Sequence, residues 1–260
     1  MKLALIAIAG LASVASAQSA DLFNGPRNSA KPTGYSGHGL SGGGDVICLW
    51  DNGGFETQPG LSVLQGTDSI FGYGNQAPPI SNSMGDDFTV SGGGWNVSTI
   101  DFFGYQTGMT TSTSTFTAVN WTIYAGAIGN TGTPVANGSG LASSVFTGVY
   151  RVTATTLTNT QRPIWRNSVN VGVTLPDGQY WVAWNTAGTL ASGPWAVPVT
   201  PFPTGANAQQ QIGAAGAWAL TSNGGHADDM AFCVNGEVVP APATFALMGL
   251  GGLIAGRRRR

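Results

Sequence analysis

The stretch VGVTLPDGQYWVAWN, residues 171–185, decides the fold class. Two runs of β-branched and aromatic residues flank a Pro-Asp-Gly turn, in which proline fixes φ and glycine tolerates a left-handed backbone. Because side chains alternate along a strand, Tyr180 and Trp184 share one face of the second run while Trp181 lies on the other. The stretch therefore predicts two short strands joined as an antiparallel hairpin.

Further short β-type runs, bounded by Gly, Pro, Asn or Ser, are predicted throughout the chain. They cover residues 45–52, 61–64, 87–90, 95–105, 116–124, 144–155, 164–173, 179–185, 217–221 and 229–239. Residues 107–115 and 128–140 are interpreted as loops, and four prolines exclude a central strand in residues 192–204. Between the chain ends no apolar pattern has the helical period. We expect an all-β fold, a two-sheet antiparallel sandwich of jelly-roll type.

The C-terminal stretch VVPAPATFALMGLGGLIAGRRRR has three parts. These are Pro240, Ala241 and Pro242, then an apolar run at residues 243–255, then Arg257, Arg258, Arg259 and Arg260. A helix of the apolar run would be about 20 Å long, against a hydrocarbon core of roughly 30 Å. The arginines would stay on the cytoplasmic side, because moving guanidinium groups through lipid is costly. We expect a short apolar helix that inserts transiently in the membrane and halts export.

This three-part tail resembles the PEP-CTERM sorting signal of bacterial exported proteins, which an exosortase recognises. Ala241 stands where that family usually has Glu. The resemblance implies a sorting tail at residues 240–260, processing by an exosortase-type enzyme, and delivery to the cell surface, envelope or extracellular matrix. The alternatives are a tail anchor, or a buried helix followed by a basic end.

The N-terminal end predicts a cleavable signal peptide over residues 1–17. Lys2 precedes an apolar run, and Ala15 and Ala17 are the small residues that a signal peptidase reads. Residues 18–44, which include His38, are interpreted as a flexible leading segment, and residues 45–239 as the β-sandwich domain.

Charge and composition restrict the partners. Lys2 and the four terminal arginines are five of the ten basic residues, so the body keeps five basic against twelve acidic residues, a net charge near −7. Such a surface repels phosphate backbones, so we expect no nucleic-acid partner. Charged residues make up 8% of the chain, against roughly 25% in ordinary domains, but the aromatic residues suffice for a core.

Between the two ends, the chain also resembles a group of uncharacterised exported bacterial proteins. The resemblance lies in DDFTV at residues 86–90, YQTG at 105–108, YRV at 150–152, RPIW at 162–165, YWVAW at 180–184 and SGPW at 192–195. It implies a shared β-sandwich surface domain and no particular chemistry.

The two cysteines, Cys48 and Cys233, lie in the first firm strand and the last. In an oxidising compartment an even pair favours a disulfide, which would join these strands. Two free buried thiols are the alternative.

Catalytic motifs are scarce. A catalytic triad would depend on His226, and neither a nucleophile elbow nor a zinc, P-loop or dinucleotide motif accompanies it. A carboxylate pair for glycoside cleavage would come from Asp45, Asp86, Asp87, Asp101, Asp228 or Asp229. Turn capping is the simpler interpretation of these residues, so we predict no enzyme activity and no cofactor.

Two ligand hypotheses remain. If the loops of the pairs Asp86, Asp87 and Asp228, Asp229 meet in space, their carboxylates would hold a structural Ca²⁺ ion. Trp181 and Trp195 are candidate contacts for sugar rings, which would make the domain a carbohydrate-binding module of the envelope or exopolysaccharide. The first hypothesis for the whole chain is a non-enzymatic surface or matrix protein, the second such a module, and the third a glycan-active hydrolase.

Overall fold

The computed structural model describes residues 47–200 and 206–239. This part of the chain is almost entirely β, with one 3-10 turn at Gly129–Thr131. The strands in chain order are β1 Ile47–Asp51, β2 Leu61–Val63, β3 Tyr73–Gly74, β4 Ser83–Val90, β5 Trp95–Tyr105, β6 Phe116–Ala125, β7 Thr133–Gly140, β8 Ser143–Val152, β9 Pro163–Leu175, β10 Gly178–Gly188, β11 Trp195–Ala196, β12 Gln209–Gln211, β13 Trp218–Leu220, β14 Ser222–Asn223, β15 His226–Ala227 and β16 Phe232–Val238.

The strands form two large sheets and one short hairpin. One sheet has six strands in the order β13-β12-β4-β10-β6-β7. The other has eight strands, with the path β1-β16-β5-β9-β8-β2 and with β3 and β11 attached beside β5. Pairing is antiparallel except between β2 and β8, and β14 pairs with β15 alone. The chain crosses between the large sheets repeatedly, for example from β4 to β5, β5 to β6, β7 to β8 and β9 to β10.

Aromatic side chains from the inner faces of both sheets form the main core. Trp184 of β10 packs on Phe102 of β5 with ring centroids 4.8 Å apart, and on Phe232 of β16 at 6.1 Å. Phe88 of β4 reaches the same Phe232 ring at 6.4 Å. Each such buried side chain contributes about 1.5–3 kcal/mol relative to its exposed state. The two sheets therefore pack face to face, as in a β-sandwich.

The strands predicted around the Pro-Asp-Gly turn are present, but the predicted hairpin is wrong. β9 belongs to the eight-stranded sheet and β10 to the six-stranded sheet, so the turn carries the chain from one sheet to the other. The Asp177 carboxylate accepts hydrogen bonds from the backbone N–H groups of Gly93 and Gly94, at 2.9 and 2.8 Å. Those glycines lie in the crossing from β4 to β5, so the two crossings are tied together.

Residues 128–140, interpreted above as a loop, contain the edge strand β7. This strand pairs with β6 and is largely exposed, so it lacks the apolar alternation by which strands are found in a sequence. Its Pro134 is tolerated because an edge strand need not donate every backbone N–H. The short strands β12, β14 and β15 were likewise not predicted.

The predicted disulfide is confirmed. Cys48 and Cys233 are bonded, with Cα atoms 6.0 Å apart. The bridge joins β1 to β16, which are neighbours in the eight-stranded sheet. It therefore connects the two ends of the β-rich body.

Several predictions fall outside the described residues. These are the signal peptide at residues 1–17, the leading segment at 18–44 with His38, the sorting tail at 240–260 with its apolar helix, and Asp45. Within residues 47–200 and 206–239, no helix has the length and apolar character needed to cross a bilayer.

Candidate functional site

A groove of about 270 Å³ crosses the outer face of the six-stranded sheet. The alternation that buries Tyr180, Val182 and Trp184 of β10 puts the intervening residues on the outer face. The outward residues of β10 face those of β6 in pairs: Trp181 with Tyr124, Ala183 with Thr122, and Asn185 with Asn120. The floor of the groove is therefore formed by the side chains at alternate positions of β6 and β10.

A ladder of hydrogen-bonded polar side chains runs across four strands of this floor. Ser139 Oγ of β7 donates to Asn120 Oδ1 at 2.6 Å, and Asn120 Nδ2 donates to Asn185 Oδ1 at 2.7 Å. Asn185 Nδ2 in turn donates to Ser83 Oγ of β4 at 3.1 Å. Because each side chain is held by its neighbours, the amide groups of the ladder have fixed orientations.

Trp218 of β13 lies at the end of the groove beyond this ladder. Its ring also lines a second depression of about 450 Å³, and the two depressions share Gln211 and Trp218. Ile128 packs with Trp181 on this outer face. A Cβ on Gly85 would lie 1.9 Å from Ile128 Cδ1, so a glycine on β4 is required for the loop to pack there.

The groove is uncharged. Among the described residues that line the two depressions, none is Asp, Glu, Lys or Arg. The polar groups present are amides, hydroxyls and the ring N–H of tryptophan, which bind neutral polar partners. An aromatic ring beside such groups is the usual composition of a site for a polyol with an apolar face.

Of the two predicted sugar contacts, Trp181 lines the second depression and Trp195 lies in the other sheet. Trp181 is on the expected face, but it is only 1% exposed, because the loop that carries Ile128 covers it. Trp195 is half-buried in β11 of the other sheet, and its Nε1 donates to Ser192 Oγ at 3.4 Å. Four aromatic residues line the groove, of which Trp121 and Trp184 are buried in the core beneath it; the half-buried Tyr124 and Trp218 present ring surface to it.

The two Asp-Asp pairs meet in the interior, in part as expected. Asp86 and Asp87 are fully buried in the middle of β4, not at a loop junction, and Asp229 is also fully buried. Asn207 connects the pairs: its Nδ2 donates to Asp87 Oδ1 at 2.7 Å and its backbone N–H to Asp229 Oδ1 at 2.9 Å. Turn capping is therefore not the role of Asp86 or Asp87.

The carboxylate of Asp86 is fixed by hydrogen bonds from two other segments of the chain. Its Oδ2 accepts hydrogen bonds from Asn52 Nδ2 at 2.7 Å and from the backbone N–H of Met230 at 2.8 Å. Burial, together with the charges of Asp229 and Asp87, raises the pKa of Asp86 well above its ordinary value. Protonation of this cluster relieves the repulsion among its carboxylates.

The calcium hypothesis stays a prediction. Asp228 is directed away from the other three acids and accepts a hydrogen bond from Tyr73 Oη. In the described ranges, no three His, Cys, Asp or Glu side chains are grouped so that they could hold a metal ion. Asp101, the remaining described candidate for carboxylate chemistry, accepts hydrogen bonds from Ser168 at 2.5 Å and Asn235 at 3.1 Å.

His226 joins two segments that the sequence did not suggest would meet. Its Nε2 lies 2.8 Å from Asp68 Oδ1, and its Nδ1 lies 3.4 Å from Asp228 Oδ1. Burial lowers the pKa of His226, but hydrogen bonds to Ala227 and Asp68 and the charges of both aspartates outweigh this, so the pKa is raised. Both ring nitrogens face protein acceptors, which fixes the β14–β15 hairpin to the segment around Asp68.

The guanidinium of Arg151 is a buried cation close to the aspartates that contact His226. Arg151 is fully buried, and it donates to the backbone oxygen of Phe71 at 2.9 Å and to Ser62 Oγ at 2.9 Å. Burial lowers its pKa to about 10, so the guanidinium remains charged at neutral pH. The charges of Asp68 and Asp228 favour the charged form.

The residues missed by sequence reasoning are Asn120, Asn185, Asp68 and Arg151. The first two were visible as polar positions of alternating strands, but any solvated strand face has the same pattern. Asp68 and Arg151 gave no signal, because nothing in the sequence indicates which distant residues each of them contacts.

No protein-family model matches this sequence, and no curated protein matches it.

Proposed function

We propose that the chain is a non-enzymatic exported protein of the cell surface or extracellular matrix, and that its β-sandwich body binds polysaccharide in the outer-face groove. The tail at residues 240–260 and the signal-like residues 1–17 support export and processing by signal peptidase and an exosortase-type enzyme. The disulfide agrees with a location outside the reducing cytoplasm.

The observation that carries the binding proposal is the side-chain ladder beside Trp218. Hydroxyl groups of a sugar both donate and accept, and they pair well with amides of fixed orientation. The C–H face of a sugar ring packs on an aromatic side chain. Ser83, Asn120 and Asn185 of the ladder line the same groove as the tryptophan, so one sugar chain would contact both.

The body is proposed to be a sandwich of jelly-roll type, because successive strands repeatedly cross from one sheet to the other. This scaffold leaves the outer face of the six-stranded sheet open to a ligand.

A glycan array probed with the full chain tests the binding proposal. We expect binding to at least one class of polysaccharide and loss of that binding in Trp218→Ala. Trp195→Ala is the control, because this tryptophan lies in the other sheet. Failure to bind any glycan would contradict the proposal and leave a structural role in the matrix.

Mass spectrometry of the protein recovered from culture medium and envelope tests the location. We expect a chain that begins at Gln18, has lost its terminal arginines, and lacks the two hydrogens removed by the Cys48–Cys233 bond. Recovery of the unprocessed chain from the cytoplasm would refute the export proposal.

A further inference from the structure

From the groove we infer a ligand class: a neutral, linear polysaccharide that lies across the strands and is held by Trp218 and by the Asn120–Asn185 amides. The inference rests on the proposed glycan binding and specifies which glycans are bound. It follows from the charge of the groove, from its direction and from its hydrogen-bonding groups.

The first step is the charge. The groove offers no arginine or lysine to a carboxylate or sulfate group on a sugar. The described residues include ten acidic side chains and three arginines, so the surrounding field is negative. An acidic polysaccharide would have to be desolvated without a counter-charge and would be repelled at long range. Only neutral sugars avoid both costs.

The second step is the direction. The ladder runs from Ser139 on β7 through Asn120 and Asn185 to Ser83 on β4, perpendicular to the strands. Trp218 is carried by β13, but a Cβ on Gly85 would lie 3.1 Å from its Cζ3, so its ring lies over β4, where the ladder ends. The four strands of the ladder span about 14 Å at the usual spacing of roughly 4.8 Å. The site is therefore long enough for more than one sugar unit, and it reaches β7, an edge of the sheet, so it suits a linear chain that lies across the strands.

The third step is the hydrogen bonding. Each ladder amide has two N–H donors, and the ladder bond uses one of them, which leaves the other for a sugar hydroxyl. The ladder also fixes which end of each amide is the oxygen. Asn120 and Asn185 are half-buried, so their free positions face the groove and not bulk solvent alone. They are the specificity-determining residues of the site.

The test measures binding of the full chain to hexasaccharides by isothermal titration calorimetry. The neutral probes are cellohexaose, xylohexaose and mannohexaose, and the acidic probe is hexagalacturonate. We expect at least one neutral probe to bind at least tenfold more tightly than the acidic probe. Trp218→Ala and the isosteric Asn185→Asp should each weaken that binding at least tenfold. Asn185→Asp keeps the oxygen that accepts from Asn120, which limits any effect on folding.

Leu220→Ala is the matched control. Leu220 lies on the same strand as Trp218 and is 55% exposed, but it does not line the groove, so its loss should leave affinity unchanged. Circular dichroism and thermal melts check that each variant is folded.

The inference is overturned if hexagalacturonate binds as tightly as the best neutral probe, if no neutral probe binds, or if both groove variants retain wild-type affinity. Where the array has already shown glycan binding, tight binding of hexagalacturonate or no binding of the neutral probes refutes only the ligand class and leaves the proposed function intact. Wild-type affinity of both groove variants also refutes the groove as the binding site of the proposed function. Absence of binding to every glycan on the array refutes both.

Discussion

Replacing Gly85 with alanine tests how the covered end of the groove is built. The added Cβ would lie 1.9 Å from Ile128 Cδ1 and 3.1 Å from Trp218 Cζ3, so Ile128 must leave its present position. Ile128 is only 6% exposed and packs against Trp181. The substitution should therefore disturb both the packing and the placement of Trp218.

The expected cost follows from the crowding. Forcing an extra methyl group into a packed site costs about 1–3 kcal/mol. Alanine in a strand recovers roughly 0.5–1 kcal/mol relative to glycine. The net destabilisation is about 1–2 kcal/mol, which lowers Tm by roughly 2–8 °C in a domain of this size. Differential scanning calorimetry measures this directly, and sugar affinity in the groove should fall with it.

A second substitution separates crowding from other causes. Ile128→Val removes Cδ1, the atom that clashes, so the double variant should be more stable than the sum of the single effects by about 1 kcal/mol. Gly178→Ala is the control, because its nearest neighbour, Tyr180 Cε2, is at an ordinary 3.5 Å. The described packing would be refuted if Gly85→Ala had the same Tm as the wild type, or if adding Ile128→Val to Gly85→Ala restored none of the lost stability.

Four further predictions test the rest of the body. Reduction of the Cys48–Cys233 disulfide, which spans 185 residues, should lower the free energy of unfolding by at most about 5 kcal/mol according to the loop-entropy relation. The loss should appear as a large drop in Tm, and the double variant Cys48→Ser, Cys233→Ser should show the same drop without reductant. The pKa of Asp86 is raised above its ordinary 3.8, so its contribution to stability is complete below about pH 4 and is lost as pH rises through the folded-state pKa. Tm should therefore fall as the pH rises above about 4, and less steeply in Asp86→Asn; an equally steep fall of Tm in both proteins would contradict this. Arg151→Met should lower the free energy of unfolding by about 3 kcal/mol, because the Phe71 carbonyl and Ser62 Oγ lose their buried donor and the nearby aspartates lose a cation. A urea titration measures this, and an unchanged unfolding midpoint would show that the guanidinium is not needed for stability. If the Asp86 cluster binds calcium, 1 mM Ca²⁺, roughly the dissociation constant of an extracellular site, should raise Tm in the wild type but not in Asp86→Asn, and an equal response in both would reject the calcium hypothesis.

Some features of the body could be predicted because they depend on short-range patterns. The alternation in residues 116–124 and the glycines that bound residues 95–105 locate β6 and β5 almost to the residue. The cysteine pair was predictable for a different reason, since each of the two cysteines has only the other as a possible partner within the chain.

Partners in space could not be predicted in the same way. The Pro-Asp-Gly turn indicates a reversal of the chain, and a reversal within one sheet has the same local sequence as a crossing between sheets. The crossing is selected by contacts far along the chain, such as Asp177 with Gly93 and Gly94. The same holds for Trp181, whose face was predicted correctly but whose cover, Ile128, depends on how a loop folds.

The sequence by itself determined that the described body is made of strands and where most of them lie, and it favoured a cysteine pair, because side-chain period, turn residues and cysteine number are local or compositional properties. Only the tertiary structure decided which strands are neighbours, and with them the side-chain ladder, the buried acid cluster and the contact of Asp68 with His226. Each of these depends on atoms that are distant in sequence and are brought within hydrogen-bonding distance only when the two sheets have packed.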